Sequence, residues 1–133
     1  VPQHCKNARA VAEFLSTSDK VASVRYPDLP GDPYHKLAEK YLPNGSCGVV
    51  SFEVAGGREA AERFMAGLRV FAIETHVADA RSCCLHPASS THRQMTNDEL
   101  VAAGISPAMV RMSCGIEGTD DLVADVEQAL ARV

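Results

Sequence analysis

Apolar residues along this chain recur with two alternating periods, and these periods predict helices and strands in turn. Residues 4 to about 18 show helical spacing, whereas residues 21–26 alternate like a half-buried strand that ends at Pro27. The same reasoning predicts the elements that follow: a helix from Pro33 to near Tyr41, a strand over 49–54, a helix through Leu68, strands over 70–77 and 82–85, a helix after Thr96, a strand over 109–114 and a helix after Thr119. The order α-β-α-β-α-β-β-α-β-α indicates one sheet covered by helices in a single α/β or α+β domain.

Two helix starts carry side-chain signals. Thr96 with Glu99 three residues later matches a capping box, and Gly104 suits the end of that helix. Thr119 is expected to be the N-cap of the last helix.

Composition fits a globular domain and excludes some classes of function. The 133 residues are 46% hydrophobic and 23% charged, and the net charge of -4 argues against a nucleic-acid binder. No apolar run is long enough to cross a membrane and no signal peptide opens the chain, so we expect a cytoplasmic protein. Because the chain begins at Val1-Pro2 without an initiator methionine, we also expect it to be part of a longer protein.

Arg111 is the first candidate for a functional residue. On the last predicted strand it shares a face with Met109 and Ser113. A guanidinium is costly to bury unless a carboxylate or phosphate pairs with it, and its planar fork suits a carboxylate. The alternative is an arginine in water or in a structural salt bridge.

A second candidate region spans residues 75–92, which hold three of the five histidines and two of the five cysteines. A metal site from His86, His92 and one cysteine, or a Cys–His nucleophilic pair, is an alternative here, although the spacing matches no zinc pattern. His76 reads as a packing histidine at a strand end, and Asp79 as a turn residue. No glycine-rich phosphate loop occurs in the chain.

Several motifs together resemble one enzyme family. Residues 85–95 read LHPASSTHRQM, residues 109–117 read MVRMSCGIE, and residues 120–122 read DDL, while GVVSFEV with Gly56-Gly57 and the opening HCKNA helix precede them. These strings resemble, in order, the C-terminal domain of the Cys/Met-metabolism family of pyridoxal-phosphate enzymes, and most closely its O-acetylhomoserine sulfhydrylase branch. The resemblance implies a single small, largely antiparallel sheet covered by helices, the C-terminal domain of a fold-type I enzyme.

The resemblance also implies roles for particular residues. Arg111 is expected to bind the α-carboxylate of an amino-acid substrate. His76 stands at a substrate-pocket position where the family usually has serine or asparagine, and Ala78 stands where glycine is usual. Thr91 and Ser82 are further candidates for the pocket lining.

For the intact enzyme the resemblance implies pyridoxal 5'-phosphate as cofactor, γ-replacement on acetylated homoserine to give homocysteine or methionine, and a homodimer or homotetramer. The four lysines (Lys6, Lys20, Lys36, Lys40) match no cofactor-binding motif, so residues 1–133 are expected to orient the substrate, with no catalytic residue, bound cofactor or metal of their own. The alternatives are a γ-lyase or cystathionine synthase or lyase relative, and a non-catalytic amino-acid-binding or oligomerisation module.

Overall fold

The computed structural model describes all residues from 1 to 133 and contains five helices, five strands and one 3-10 turn. In chain order these are α1 (Pro2–Thr17), β1 (Val21–Arg25), α2 (His35–Tyr41), β2 (Val49–Val54), α3 (Gly57–Gly67), β3 (Ala72–Ile73), β4 (Cys83–Leu85), the 3-10 turn (Pro87–Ser89), α4 (Asn97–Ala102), β5 (Met109–Ser113) and α5 (Thr119–Leu130). None of the helices is long and apolar enough to cross a membrane.

The five strands form one sheet in the order β1-β2-β5-β4-β3. Three of the four pairings are antiparallel, and only β3 and β4 run parallel. The expected single small, largely antiparallel sheet is confirmed.

Helices α1, α3 and α5 cover one face of this sheet. Val50 and Met112, which face each other across β2 and β5, are fully buried beneath them, and Phe52 meets Phe64 of α3 edge-on at 5.4 Å between ring centroids. The apolar stripes of the three helices supply most of the main core. They contribute Ala8, Val11, Ala12 and Leu15 from α1, Ala60, Ala61, Phe64 and Met65 from α3, and Leu122, Val126, Ala129 and Leu130 from α5. The opposite face is contacted by connecting segments, and Arg111 lies on it.

Two elements differ from their sequence-based predictions. The helix expected from Pro33 begins at His35, because the Asp32 carboxylate holds the backbone N–H groups of Tyr26 and Tyr34 in a turn just before it. The strand expected over 70–77 shrinks to Ala72–Ile73. Its first residues bind elsewhere, since the N–H groups of Val70 and Phe71 donate to Asp125 of α5.

The helix starts give one confirmation and one correction. The capping box at Thr96 and Glu99 is present, and Gly104 has the left-handed φ of 79° that ends the helix. Thr119 is not the N-cap of α5, because Gly118 occupies that position. The Thr119 hydroxyl donates instead to Oδ1 of Asn7 at 2.7 Å and ties α5 to α1.

Candidate functional site

Arg111 lies in the centre of the sheet face that the three long helices leave free. Its direct neighbours across the sheet are Ser51 of β2 and Leu85 of β4. The three residues line a depression of about 390 Å³, which Thr91 and Met109 also border. Thr91 thus lines the same depression as Arg111, and its role in a substrate pocket stays a prediction.

The Arg111 guanidinium has one protein partner and no carboxylate. Its Nη2 donates to the carbonyl of Thr75 at 3.0 Å. None of the ion pairs in the structure includes Arg111. The structural salt bridge considered above does not form. The bond of the guanidinium to Thr75 lies in an exposed position, so most of its five N–H donors are open to solvent or to an anion.

The β3–β4 connection, residues 74–82, contains Thr75, whose carbonyl accepts the hydrogen bond from Arg111. Ala78, in this connection, donates its N–H to Oγ of Ser113 at 3.1 Å, and Ser113 is two residues beyond Arg111 on the same strand face. The Ala80 carbonyl accepts from the N–H of Ile116 at 3.0 Å. Gly115 is needed at this crossing, because a Cβ there would overlap the Ala80 carbonyl. The connection thus lies directly on β5 and the residues after it.

Ser82 is buried at the end of this connection. Its N–H and its hydroxyl each donate to one oxygen of the Glu117 carboxylate at 2.7 Å, and its hydroxyl accepts from the N–H of Gly115 at 2.8 Å. Because the hydroxyl is fully used and the side chain has no exposure, Ser82 holds the backbone and does not line the depression beside Arg111.

His76 is placed differently from Arg111. Its side chain is 63% exposed and lies outside the residues that line the depression, with Nδ1 3.1 Å from Oε2 of Glu74 and 3.8 Å from Oδ2 of Asp79. Asp79 is a turn residue, because its carboxylate accepts from the N–H of Arg81; this bond lowers the pKa of the Asp79 carboxyl below its ordinary value. A role for His76 in substrate choice stays a prediction.

His86 is a packing residue. Its Nε2 donates to the carbonyl of Pro107 at 2.7 Å, and its Nδ1 lies 2.8 Å from Oγ of Ser89. Both ring nitrogens are therefore occupied. The metal site suggested for His86, His92 and a cysteine does not form, since the structure contains no group of three or more suitable ligands.

The cysteines near the site are equally unsuited to nucleophilic chemistry. Burial raises the pKa of the Cys114 thiol to about 12 and holds that of Cys84 well above its ordinary value. Because the thiolate is the reactive form, these side chains behave as small apolar core residues.

The depression beside Arg111 does not fit the covalent binding of a pyridoxal phosphate. None of the four lysines lines the depression, so none can form the covalent bond to the cofactor there. The Lys20 ammonium donates to the carbonyl of Val133, and that of Lys40 lies over the ring of Tyr41. The site offers one guanidinium, the imidazole of His92, hydroxyl groups and several apolar side chains; Nδ1 of His92 lies 2.9 Å from the Thr91 hydroxyl.

Comparison with known proteins gives the same relationship as the motifs. The sequence model for Cys/Met metabolism PLP-dependent enzymes matches residues 1–131. The chain belongs to this family. Its members use pyridoxal phosphate, and the fold described above matches a part of one of their solved structures.

Individual members of the family cover this chain almost completely. The chain is 42% identical over 132 residues to O-acetyl-L-homoserine sulfhydrylase of Leptospira meyeri. The alignment covers 98% of this chain and 30% of that protein. The chain is also 42% identical over 128 residues to L-methionine gamma-lyase of Pseudomonas putida, spanning 96% of the chain and 32% of that enzyme. A Campylobacter jejuni protein assigned as an O-acetylhomoserine (thiol)-lyase, solved with N'-pyridoxyl-lysine-5'-monophosphate, superposes with a TM-score of 0.88 at 39% identity over 97% of this chain and 31% of that one. The chain thus spans about a third of the length of these relatives.

Sequence reasoning missed the residues that support Arg111. Ser113, Gly115 and Glu117 all contact the β3–β4 connection. Only Ser113 shares the strand face of Arg111, because β5 ends there, whereas Gly115 and Glu117 lie beyond the strand. Their partners lie 33 to 35 residues earlier in the chain, so no local pattern reveals them.

Proposed function

We propose that the intact enzyme is a cytoplasmic transferase that replaces the γ-substituent of an acetylated homoserine with a sulfur nucleophile, and that this domain binds the substrate through Arg111. With sulfide, the overall reaction converts O-acetyl-L-homoserine to homocysteine and acetate. The single observation that carries the proposal is that Arg111 lines a depression on the sheet and has no carboxylate partner in the protein.

The chain's own residues supply binding and orientation. Arg111 would hold the substrate α-carboxylate with two parallel hydrogen bonds, while its bond to the Thr75 carbonyl limits rotation of the guanidinium plane. Ser51 and Thr91 add hydroxyl groups to the wall of the same depression. In the intact enzyme, bound pyridoxal phosphate would supply the electron sink for the reaction. Holding the carboxylate fixes the α-carbon, and such positioning contributes directly to the rate.

Substitution of Arg111 in the intact enzyme tests this proposal. Two charge-assisted hydrogen bonds are worth about 3 kcal/mol, so we expect Arg111→Ala to lower kcat/KM for O-acetyl-L-homoserine roughly 100-fold. Arg111→Lys keeps the charge but loses the fork, and it should recover only part of that loss. Steady-state kinetics with sulfide as second substrate measures both.

Two controls separate carboxylate binding from a general defect. The inhibitor 3-aminopropyl acetate is the substrate without its carboxylate, and its inhibition constant should not change in Arg111→Ala. Arg63→Ala removes an exposed arginine from α3 on the helical side of the sheet, so it should leave the kinetics intact. An unchanged kcat/KM in Arg111→Ala would refute the proposed role.

A γ-lyase is the second candidate activity, favoured by the 42% identity to the Pseudomonas putida L-methionine gamma-lyase. The same carboxylate clamp serves both reactions, so Arg111 does not distinguish them. Incubating the intact enzyme with methionine alone does: release of 2-oxobutanoate, ammonia and methanethiol identifies a lyase. Formation of homocysteine only with O-acetyl-L-homoserine and sulfide identifies the transferase.

A further inference from the structure

The β3–β4 connection is fastened to β5 by a regular series of contacts. Arg111 bonds to the Thr75 carbonyl, Ser113 to the Ala78 N–H, the N–H of Ile116 to the Ala80 carbonyl, and Glu117 to Ser82. The contacts advance in the same direction along both segments. The segment 75–82 is therefore held from its first residue, next to the candidate substrate site, to its last.

Glu117 provides the strongest contact in this series. Both oxygens of its carboxylate accept hydrogen bonds, from the N–H and from the hydroxyl of Ser82, at 2.7 Å each. Ser82 is fully buried. Hydrogen bonds to a charged acceptor are roughly twice as strong as neutral ones, and they weaken less readily inside the protein.

Only a carboxylate satisfies both donors of Ser82. A glutamine at position 117 would accept one bond with its carbonyl oxygen, but its amide N–H could only donate to the Ser82 hydroxyl, whose own O–H would then lose its acceptor. The Ser82 hydroxyl also accepts from the N–H of Gly115, so its orientation is fixed from two sides. Loss of the Glu117 charge would therefore release the end of the segment.

The other end of the segment contacts Arg111. The Thr75 carbonyl is the only protein acceptor of the guanidinium. Thr75 follows Glu74, whose N–H donates to the Cys84 carbonyl, so the position of the Thr75 carbonyl is set by the sheet on one side and by the path of residues 75–82 on the other. Movement of the segment would leave the guanidinium free to rotate. Bidentate binding of a carboxylate depends on the orientation of the guanidinium plane.

We infer that Glu117 is a positioning residue for Arg111: by holding Ser82, it fixes the segment 75–82 and with it the Thr75 carbonyl that orients the guanidinium. The inference rests on the proposed function only for its kinetic consequence. Glu117 does not line the depression and contacts no substrate.

Glu117→Gln in the intact enzyme tests the kinetic consequence. We expect KM for O-acetyl-L-homoserine to rise roughly 10-fold with kcat changed less than about twofold, since one charged hydrogen bond is weakened away from the reacting atoms. The inhibition constant of 3-aminopropyl acetate should stay constant. In an Arg111→Ala background Glu117→Gln should add nothing, because the residue that it positions is gone. Equal weakening of both ligands, or an undiminished effect in that background, would overturn the inference.

Glu127→Gln is the matched control, because Glu127 is an exposed carboxylate on α5, and its kinetics should equal those of the unsubstituted enzyme. Ser82→Ala keeps the bond from its N–H to Glu117 but removes the hydroxyl's bonds to Glu117 and from Gly115, and it should raise KM to a similar extent. It also provides a folded variant should Glu117→Gln fail to fold.

A crystal structure of Glu117→Gln separates this inference from the proposed function. We expect the bond between Arg111 and the Thr75 carbonyl to be broken and the segment 75–82 displaced. A segment in its original place, with that bond intact, would overturn the inference even if Arg111 binds the substrate. A displaced segment combined with normal kinetics in Arg111→Ala would refute the proposed function and leave the positioning of Arg111 by Glu117 supported.

Discussion

Ala78 has an unusual backbone conformation for its residue type. Its φ of 61° makes it the only residue other than glycine with a positive φ. This conformation costs an L-residue about 1–2 kcal/mol, and it persists only where neighbouring contacts impose it. The contacts are present: the N–H of Ala78 donates to Ser113, and Thr75 and Ser82 are held on either side. The strain thus lies within the segment that orients Arg111.

Glycine at this position should relieve the strain. We expect Ala78→Gly to raise the free energy of unfolding by about 0.5–1 kcal/mol, because the cost of the left-handed conformation exceeds the entropy that glycine adds to the unfolded chain. Urea denaturation measures the change. Ala124→Gly, at an exposed position in the interior of α5, should lower the same free energy by about 1 kcal/mol. Destabilisation by both substitutions would show that Ala78 is not strained.

At the scale of elements, local signals and long-range contacts decide how well the sequence predicts the structure. The Thr96–Glu99 capping box and the apolar stripes of α1 and α5 are complete within one segment, and each predicted the right helix. Val70 and Phe71 are typical strand residues, yet their N–H groups bind Asp125, 54 to 55 residues further on. Thr119 likewise pairs with Asn7. Such partners are known only once the fold is known.

The same division applies to the candidate site. Arg111 could be predicted because its motif and the cost of burying a guanidinium both mark it. Thr91 was predicted from the resemblance and borders the same depression, whereas His76 and Ser82 do not. Their positions depend on how the connection 75–82 crosses β5. That path is set by Glu117 and Gly115, which are distant in sequence.

The capping box of α4 should make this helix sensitive to acid. The backbone N–H of Thr96, followed by its hydroxyl, lowers the pKa of Glu99 below its ordinary value of 4.5. The ionised form is favoured in the folded state, so its contribution is complete above pH 4.5 and is lost as the pH falls through the lowered pKa. An NMR titration of the Glu99 carboxyl should locate that pKa. In Thr96→Ala it should move back toward 4.5, and an unchanged value would show that the hydroxyl contributes nothing.

Across the whole molecule, one face of the sheet packs in the main core and the other carries the candidate substrate site. Alternate residues of β5 face opposite ways, so Val110 and Met112 lie in the main core while Arg111 and Ser113 lie on the other face. One strand therefore carries both the packing that stabilises the domain and the group proposed to bind substrate. Substitutions at Val110 and Met112 should mainly lower the stability of the domain, whereas substitutions at Arg111 and Ser113 should mainly affect substrate binding.

Asp125 connects the helical layer to the connection that leads toward the site. This buried carboxylate on α5 accepts from the N–H groups of Arg69, Val70 and Phe71 at 2.8 to 3.0 Å. These residues follow α3 and lead into β3, and the chain then continues into the segment 75–82. A single side chain thus joins α5 to the residues that connect α3 with β3.

Asp125→Asn should therefore destabilise the whole domain. The amide group accepts fewer bonds and leaves at least one buried N–H without a partner, which costs about 1–3 kcal/mol in addition to the lost charge-assisted bonds, so we expect a total loss of roughly 3 kcal/mol. Urea denaturation of the chain measures it. Glu127→Gln removes an exposed carboxylate two residues further along the same helix and should change the free energy of unfolding by less than about 0.5 kcal/mol. Equal effects of the two substitutions would mean that the three backbone bonds to Asp125 contribute no net stability, and that α5 is held by its apolar face alone.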